Sequence, residues 1–360
     1  MNARVAVVLL VLLAVLGGGA LLVQQQSGSQ KPAGAASLGQ PLLKGLQAAA
    51  VASIVIRQPK AAITLQRKGE RWAIAERADF PADFDRVREF VLKAIALKIG
   101  QSEPVGEKDR ARLNLDSSGT AVEFLGAEGK PLARLTAGRK YFKSEPENPD
   151  KAIGDGRYVA LPDDDKRALL VSDPLAQATT RTADWISKAG IAAEKVKTLE
   201  VRDPPGARAG SSWRIERSGD NADWKLAGAG AGEKLEITKA NAAGYTFSQI
   251  ELADVAPKDL KPEETGLARP SVVTATTLDG LTYILKLGKL EGENYYASIA
   301  VTGEPKPEGK DAEERLKRMA ERVAREKALA PYTVLIPKSR LEDILKKRAD
   351  LLVKKEAKKK

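Results

Sequence analysis

The stretch ITLQRKGERWAI, residues 63–74, begins with alternating apolar and polar side chains, turns at Gly69 and ends in the apolar run Trp72 to Ile74. This pattern predicts a strand, a turn and a second strand, with Trp72 just after the turn. The same order returns later in the chain, where WRIERSG at residues 213–219 leads to DWKL at residues 223–226. The chain therefore repeats one hairpin, and the two equivalent tryptophans are separated by 152 positions.

A second landmark keeps its spacing in both copies. Leu115 follows Trp72 by 43 residues, and Leu267 follows Trp224 by 43 residues. A repeat at a fixed period indicates one supersecondary unit used twice, each copy burying its apolar face against its own helix or against its twin. We therefore predict that the two modules superimpose with Trp72 over Trp224 and Leu115 over Leu267. Such an organisation argues against a compact enzyme with a single site.

Each module is predicted to be α+β, with a mostly antiparallel sheet and packed helices. In the first module, residues 53–56 suit a strand, while Pro81, Asp83 and an apolar stripe ending before Gly100 predict a helix. Further hairpins are predicted for residues 120–125 with 132–136 and for residues 271–278 with 281–287, the latter joined through an Asp-Gly turn. Both modules are predicted to close with a strand, a proline and a helix, the helices covering residues 163–170 and 339–352.

Both modules also carry an insertion. In the first module it is a polar, proline-rich loop at residues 143–150. In the second, residues 311–327 are densely charged, and their apolar residues recur at helical spacing: Leu316, Met319, Ala320 and Val323. This pattern predicts a solvent-facing helix with a narrow apolar stripe.

The composition excludes several kinds of chemistry. The 360 residues contain no His and no Cys, which removes Ser-His-Asp and Cys-His catalysis, His/Cys zinc sites and disulfides. Lys and Arg number 59 against 48 Asp and Glu, a net charge of +11. A basic chain suits anionic lipid or an anionic envelope polymer. With 5% aromatic residues and basic residues scattered among acids, a nucleic-acid partner is not expected.

The N-terminal segment determines the expected location. Residues 5–23 carry no charge and, as a helix, would be about 28 Å long, close to the thickness of the bilayer core. A short basic start before one spanning helix predicts a single-pass protein of the inner membrane, with its body in the periplasm. The alternative is a cleaved signal peptide, and it also exports the body.

The chain is expected to have five parts, of which the N-terminal anchor is the first. They are a transmembrane anchor at 1–26, a linker at 27–50 with a short helix over 42–50, the first module at 51–190, the second at 191–353, and a basic tail at 354–360. The tail is expected to be a frayed helix end, with contact to an anionic surface as the alternative.

Several local motifs suggest chemistry, and each has a simpler structural explanation. The glycine-rich run at residues 228–234 lacks the spacing of a phosphate-binding loop and is expected to be a surface loop. The acids at 163–165 suit a helix start better than a calcium site. Four tryptophans suggest a sugar-stacking surface, but core or sheet-face packing is the simpler explanation: Trp72, Trp185, Trp213 and Trp224. Two acids and two tyrosines suggest a cleft, but strand alternation is the simpler explanation: Glu291, Glu293, Tyr295 and Tyr296. We therefore predict no catalytic, cofactor or metal residues, and the binding residues stay unknown.

The chain resembles the bacterial domain of unknown function 4340 family. The resemblance rests on RWAI at 71–74 followed by PAD at 81–83, on LNLD at 113–116, on ADWI at 183–186 and on TGLARP at 265–270, and it covers roughly residues 50–350. Asn114 stands where the family usually has Gly, and residues 268–270 depart from its Asp and Pro. The resemblance implies a single-pass membrane protein with a periplasmic body, encoded beside ABC-2 type export systems and related to auxiliary components of gliding-motility transporters.

These observations favour a non-enzymatic, membrane-anchored accessory protein that binds subunits of an ABC-type exporter. Two alternatives stay open. One is an enzyme acting on envelope glycan, which needs two carboxylates about 5–10 Å apart in an open cleft. The other is a structural tether with a rigid module interface and no concave site.

Overall fold

The computed structural model describes residues 37–204, 212–306 and 312–354. The predicted anchor at residues 5–23, the linker up to residue 36 and the tail from residue 355 lie outside these ranges. Within them, no helix combines the length and the hydropathy that a membrane crossing requires.

The described chain is α+β and consists mainly of antiparallel sheets with few helices, which confirms the predicted fold class at that level. It forms two compact units. One takes the described chain up to Thr64 together with Asp85–Thr180, and the other takes Leu65–Phe84 together with the described chain from Arg181 onward. The predicted contiguous modules at 51–190 and 191–353 stay a prediction.

Nine strands form the first sheet, in the order β4-β3-β2-β1-β6-β7-β8-β9-β5. Two α-helices accompany it, α1 at Phe84–Ala96 and α2 at Glu107–Arg112. The strands are β1 Ser53–Gln58, β2 Ala61–Lys68, β3 Arg71–Ile74, β4 Phe80–Pro81, β5 Ile99–Pro104, β6 Thr120–Leu125, β7 Pro131–Tyr141, β8 Gly156–Leu161 and β9 Asp164–Val171.

Eight strands form the second large sheet, in the order β13-β12-β11-β16-β17-β18-β19-β15, and β10 pairs with β14 in a small separate sheet. The described residues of this part of the chain include the α-helices α3 Ile237–Tyr245, α4 Pro262–Thr265 and α5 Ala312–Lys327. The strands are β10 Ala189–Ile191, β11 Val196–Arg202, β12 Trp213–Glu216, β13 Lys225–Leu226, β14 Ile250–Glu251, β15 Asp254–Val255, β16 Ser271–Thr277, β17 Thr282–Glu291, β18 Asn294–Thr302 and β19 Thr333–Pro337.

The two large sheets share one strand order. Apart from β4, raising each strand number of the first sheet by ten gives the order of the second. Trp72 lies in β3, and Trp224 lies directly before the corresponding β13.

A repeated close contact accompanies this order. A Cβ on Gly138 in β7 would lie 2.3 Å from the carbonyl oxygen of Leu113, and one on Gly288 in β17 would lie 2.1 Å from that of Thr265. Each glycine lies in an irregularity of its strand's register. The residue after each carbonyl is left-handed, with φ of 54° at Asn114 and 76° at Gly266. Asn can stand in for Gly here because it tolerates this conformation better than other residues.

Helix α1 lies where the apolar spacing predicts it. It buries Val87, Phe90, Val91 and Ala94, and the Phe90 ring stacks on Phe124 of β6 with centroids 5.8 Å apart. The strands predicted at 53–56, 120–125, 132–136, 271–278 and 281–287 are present, with ends shifted by a few residues.

The two closing helices were predicted wrongly. Residues 164–171 form strand β9, because β8 and β5 both supply it with ladder hydrogen bonds, and the acids at 163–164 sit at a strand turn rather than a helix start. Residues 339–352 hold only 3-10 turns, at Lys338–Arg340 and Arg348–Leu351, which still bury Leu341, Ile344 and Leu351. The helix expected over 42–50 is reduced to a 3-10 turn at Ala48–Ala50.

Candidate ligand-binding cavity

A cavity of about 760 Å³ lies within the second unit. Most of its lining is apolar, and its size is typical of sites for small molecules. Three parts of the unit contribute: the β3–β4 hairpin, the small β10–β14 sheet and the C-terminal half of α5. The lining includes Arg71, Phe80, Lys188, Ile191, Ala192, Ile250, Glu251, Arg322, Arg325, Glu326, Ala328 and Leu329.

The floor of the cavity consists of buried apolar side chains. Phe80, Ile191, Ile250 and Leu329 are each less than a tenth exposed. The Phe80 ring meets Tyr332 edge to face, with centroids 4.8 Å apart and planes at 73°, a favourable aromatic geometry. An apolar floor of this kind has no hydrogen-bonding groups to offer a polar ligand, so it favours a hydrocarbon one.

Glu326 is the exception, a carboxylate that lines the cavity while only 2% exposed. Its Oε1 accepts a hydrogen bond from the backbone N–H of Ala192 at 2.8 Å, and its Oε2 accepts one from the Tyr283 hydroxyl at 3.0 Å. Arg322 Nε lies 3.7 Å from Oε1. Burial raises the pKa of Glu326, and these donors and cations oppose that shift. Burial, together with the nearby carboxylate, also raises the pKa of Tyr283.

The rim of the cavity is positively charged. Arg71, Lys188 and Arg325 are exposed, and none of them forms an ion pair with another described residue. The remaining charges are compensated, because Arg322 pairs with Glu194 at 2.7 Å and Glu251 pairs with Arg340 at 2.8 Å. Three cations without described acidic partners therefore surround an apolar interior.

A second concave surface lies on the β11–β12–β16 sheet and encloses about 540 Å³. Lys197, Arg214, Arg217 and Lys225 line it together with one acid, Glu216. Arg217 is held by Val196 O and Asp220, and its guanidinium lies 4.8 Å from the Trp224 ring centroid. Arg217 therefore stabilises the sheet edge and is not available to a ligand.

The glycine-rich run at 228–234 is a loop closed by its own acid. Glu233 accepts the N–H of Gly230 at 2.8 Å and two hydrogen bonds from Arg348, at 2.6 and 2.8 Å. The Arg348 hydrogen bonds lower the pKa of Glu233 to about 2. Residues 228–232 are exposed and form turns, so the expected surface loop is confirmed.

None of the other predicted candidates lines the cavity. Asp163 and Asp164 follow β8, where Asp164 pairs with Arg167 at 2.7 Å. All four tryptophans are less than a tenth exposed, as core packing predicts. The acidic and tyrosine set is on β17, β18 and the turn that joins them: Glu291, Glu293, Tyr295 and Tyr296. In the parts of the chain that the structure describes, no group of three acids is arranged to hold a metal ion.

Sequence reasoning missed Glu326 and the cavity. The apolar stripe predicted on α5 is real, since Met319 and Val323 are buried, but Leu316 is 42% exposed. Glu326 lies three residues after Val323 and seven after Met319, on the same face of the helix. An acid that continues an apolar stripe was the signal that could have identified it.

Comparison with known proteins gives one match. Residues 72–270 match the model of a family described as Domain of unknown function (DUF4340). Searches of curated proteins and of solved structures gave no match. The matched range includes the β10 and β14 sides of the cavity and ends before α5, so Arg325 and Glu326 come from outside it.

Proposed function

The chain belongs to the DUF4340 family, and from that premise we propose that it is a membrane-anchored, extracytoplasmic binding protein and a non-catalytic accessory subunit of an ABC-type exporter. The observation that carries the binding role is the apolar, cation-rimmed cavity of about 760 Å³ in the second unit. The uncharged segment at residues 5–23 supports the anchor and the single-pass topology of the proposal.

The same proposal includes two tandem modules derived from one ancestral unit. Its support is the shared strand order and the matching contacts of Gly138 with Leu113 and of Gly288 with Thr265. At corresponding positions of the two sheets the backbones approach so closely that only glycine fits. Two modules of independent origin would rarely share this feature.

A pull-down from detergent-solubilised membranes tests the accessory role. The full-length chain should recover exporter subunits, and a cavity-blocked variant, Ala328→Trp, should show whether recovery depends on the cavity. Ala328 is exposed and lines the cavity, so Trp there fills space without entering the core. Recovery of no transporter subunit by the wild-type chain would contradict the accessory role.

A complementation assay tests the anchor. An exported form without residues 1–26 should lose function, because the anchor supplies a high local concentration at the membrane. Single acid substitutions should be mild, since binding surfaces rarely depend on one carboxylate: Asp163→Ala, Asp164→Ala, Glu291→Ala and Glu293→Ala. A null phenotype for one of these acids, with an active soluble form, would contradict the binding role.

One observation favours the glycan-acting enzyme as a second candidate. Glu251 and Glu326 line the same cavity, and burial raises the pKa of Glu326, as a general acid requires. Both oxygens of Glu326 already accept hydrogen bonds, which favours a structural role for it. The folded variants Glu326→Gln and Glu251→Gln separate the candidates, because an enzyme would lose its function with either change.

A further inference from the structure

We propose that the cavity of the second unit binds an anionic amphiphile with one acyl chain, whose hydrocarbon lies on the apolar floor and whose acidic head meets the cationic rim. This inference rests on the proposed binding function and adds the chemical class of the ligand.

The floor determines the apolar half of the ligand. Phe80, Ile191, Ile250 and Leu329 come from three separate parts of the unit and converge on one space. Water in such a space finds few polar partners, so hydrocarbon that displaces it gains the burial free energy of each methylene group. The small volume suits a single chain better than a two-chain lipid.

The rim determines the charge of the head. Arg71, Lys188 and Arg325 are exposed cations that form no ion pair with a described acid, although Arg325 acts on the buried Glu326 at longer range, while Glu251 is already engaged by Arg340. A cationic or zwitterionic head would meet net repulsion or gain little. An acidic head would gain attraction from up to three cations at the boundary between water and an apolar wall, where such attraction is stronger than in bulk water.

The buried carboxylate of Glu326 does not argue against a ligand with an acidic head. Its carboxylate is turned to the backbone of Ala192 and to Tyr283, so the acid is compensated from within the protein. Arg325 lies on the adjacent position of α5 and contributes a positive potential at Glu326. The buried acid therefore does not cancel the attraction that the exposed rim offers to a ligand.

Photolabelling of the full-length chain tests the proposal. The protein is placed in nanodiscs of zwitterionic phosphatidylcholine and labelled with palmitic acid that carries a diazirine on its chain. Labelled peptides should map to residues 187–192, 249–251 and 322–329. Unlabelled palmitic acid should compete, and cetyl alcohol and cetylamine, with the same chain but a neutral or cationic head, should compete at least tenfold less well.

Two substitutions on α5 form a matched pair. Arg325→Gln should lower the apparent affinity for palmitic acid about fivefold, because it removes the attraction between one cation and the carboxylate head in a water-like environment. Lys317→Gln removes an exposed cation of the same helix that does not line the cavity, so it should leave the affinity unchanged. Ala328→Trp should abolish labelling of the cavity peptides while the far-ultraviolet circular dichroism stays unchanged.

The outcomes separate this proposal from the binding function on which it rests. Equal competition by cetyl alcohol and palmitic acid would overturn the acidic head and leave a cavity that binds apolar ligands. Absence of label from the cavity peptides, with the protein folded, would overturn the amphiphile altogether. In that case exporter subunits recovered in the pull-down would still support an accessory role carried by another surface.

Discussion

The hydrogen bond from Tyr283 to Glu326 should be a measurable source of stability for the second unit. Tyr283→Phe removes the hydroxyl that donates to Glu326 Oε2 at 3.0 Å and leaves the ring in place. Both residues are buried, with Tyr283 at 0% and Glu326 at 2% exposure, so water does not readily replace the lost donor.

The expected loss of stability follows from the negative charge of the acceptor, Glu326. A hydrogen bond to a charged group contributes about 1.5–3 kcal/mol, against about 1 kcal/mol between neutral groups. We expect Tyr283→Phe to lower the free energy of unfolding by about 2 kcal/mol at pH 7. In a Glu326→Gln background the same change should cost about 1 kcal/mol, because the acceptor is neutral. The coupling energy of this double-mutant cycle should therefore be about 1 kcal/mol.

The pH dependence gives a second check. Burial raises the pKa of folded Glu326 above its ordinary value of 4.5, so folding favours the protonated acid. The associated stability is present below pH 4.5 and is lost as pH rises through the folded pKa. Tyr283 lowers that pKa, so its removal raises it further and increases the loss at neutral pH. The cost of Tyr283→Phe should shrink as pH falls from 7 toward 4.5.

Tryptophan fluorescence during urea unfolding measures these differences. All four tryptophans belong to the second unit, so the signal reports that unit even when the two units unfold separately. Tyr332→Phe is the control, because its hydroxyl reaches only a backbone carbonyl at 3.4 Å. It should cost less than 1 kcal/mol, with no pH dependence. Equal costs at Tyr283 in the Glu326 and Gln backgrounds would refute the reasoning.

Three further predictions concern single positions. Gly288→Ala should cost at least about 2 kcal/mol in a urea melt, because its Cβ would lie 2.1 Å from a carbonyl oxygen, whereas Gly219→Ala, with nothing within 4 Å, should be nearly neutral. Asn114→Ala should cost about 1 kcal/mol and Asn114→Gly much less, because the position is left-handed with φ of 54°; equal melts for the two variants would contradict this. Arg348→Gln should raise the pKa of Glu233 from about 2 toward 4.5 in an NMR titration, and an unchanged pKa would show that the ion pair does not form in solution.

The local sequence pattern was sufficient to predict secondary structure where a single turn or a single helical face determines it. The hairpin at residues 63–74, the helix from Phe84 and the strand Thr120–Leu125 follow from periodicity and turn residues that act over a few positions. The family resemblance was confirmed for residues 72–270. Its extension to an export system stays a prediction, because structural motifs carry no record of a partner.

The local sequence pattern gave the wrong secondary structure where contacts with distant parts of the chain determine the backbone conformation. Residues 163–170 follow Pro162 and begin with three acids, which is typical of a helix start, but pairing with β8 and β5 makes them a strand. At residues 339–352 the backbone turns in 3-10 segments, and Leu341 and Ile344 are buried while Leu345 and Leu352 are only partly buried. In both places the backbone conformation depended on neighbours that are remote in the chain.

The sequence by itself determined the alternation of strands and turns, the repeated landmarks, the basic charge and the absence of His and Cys. Only the tertiary structure decided which elements line the same cavity. Phe80, Ile191 and Leu329 are far apart in sequence, and they line one cavity because the β3–β4 hairpin, the β10–β14 sheet and α5 pack within one unit. The burial of Glu326 was decided in the same way, because a charged residue on a helix meets solvent or protein according to what packs against that face.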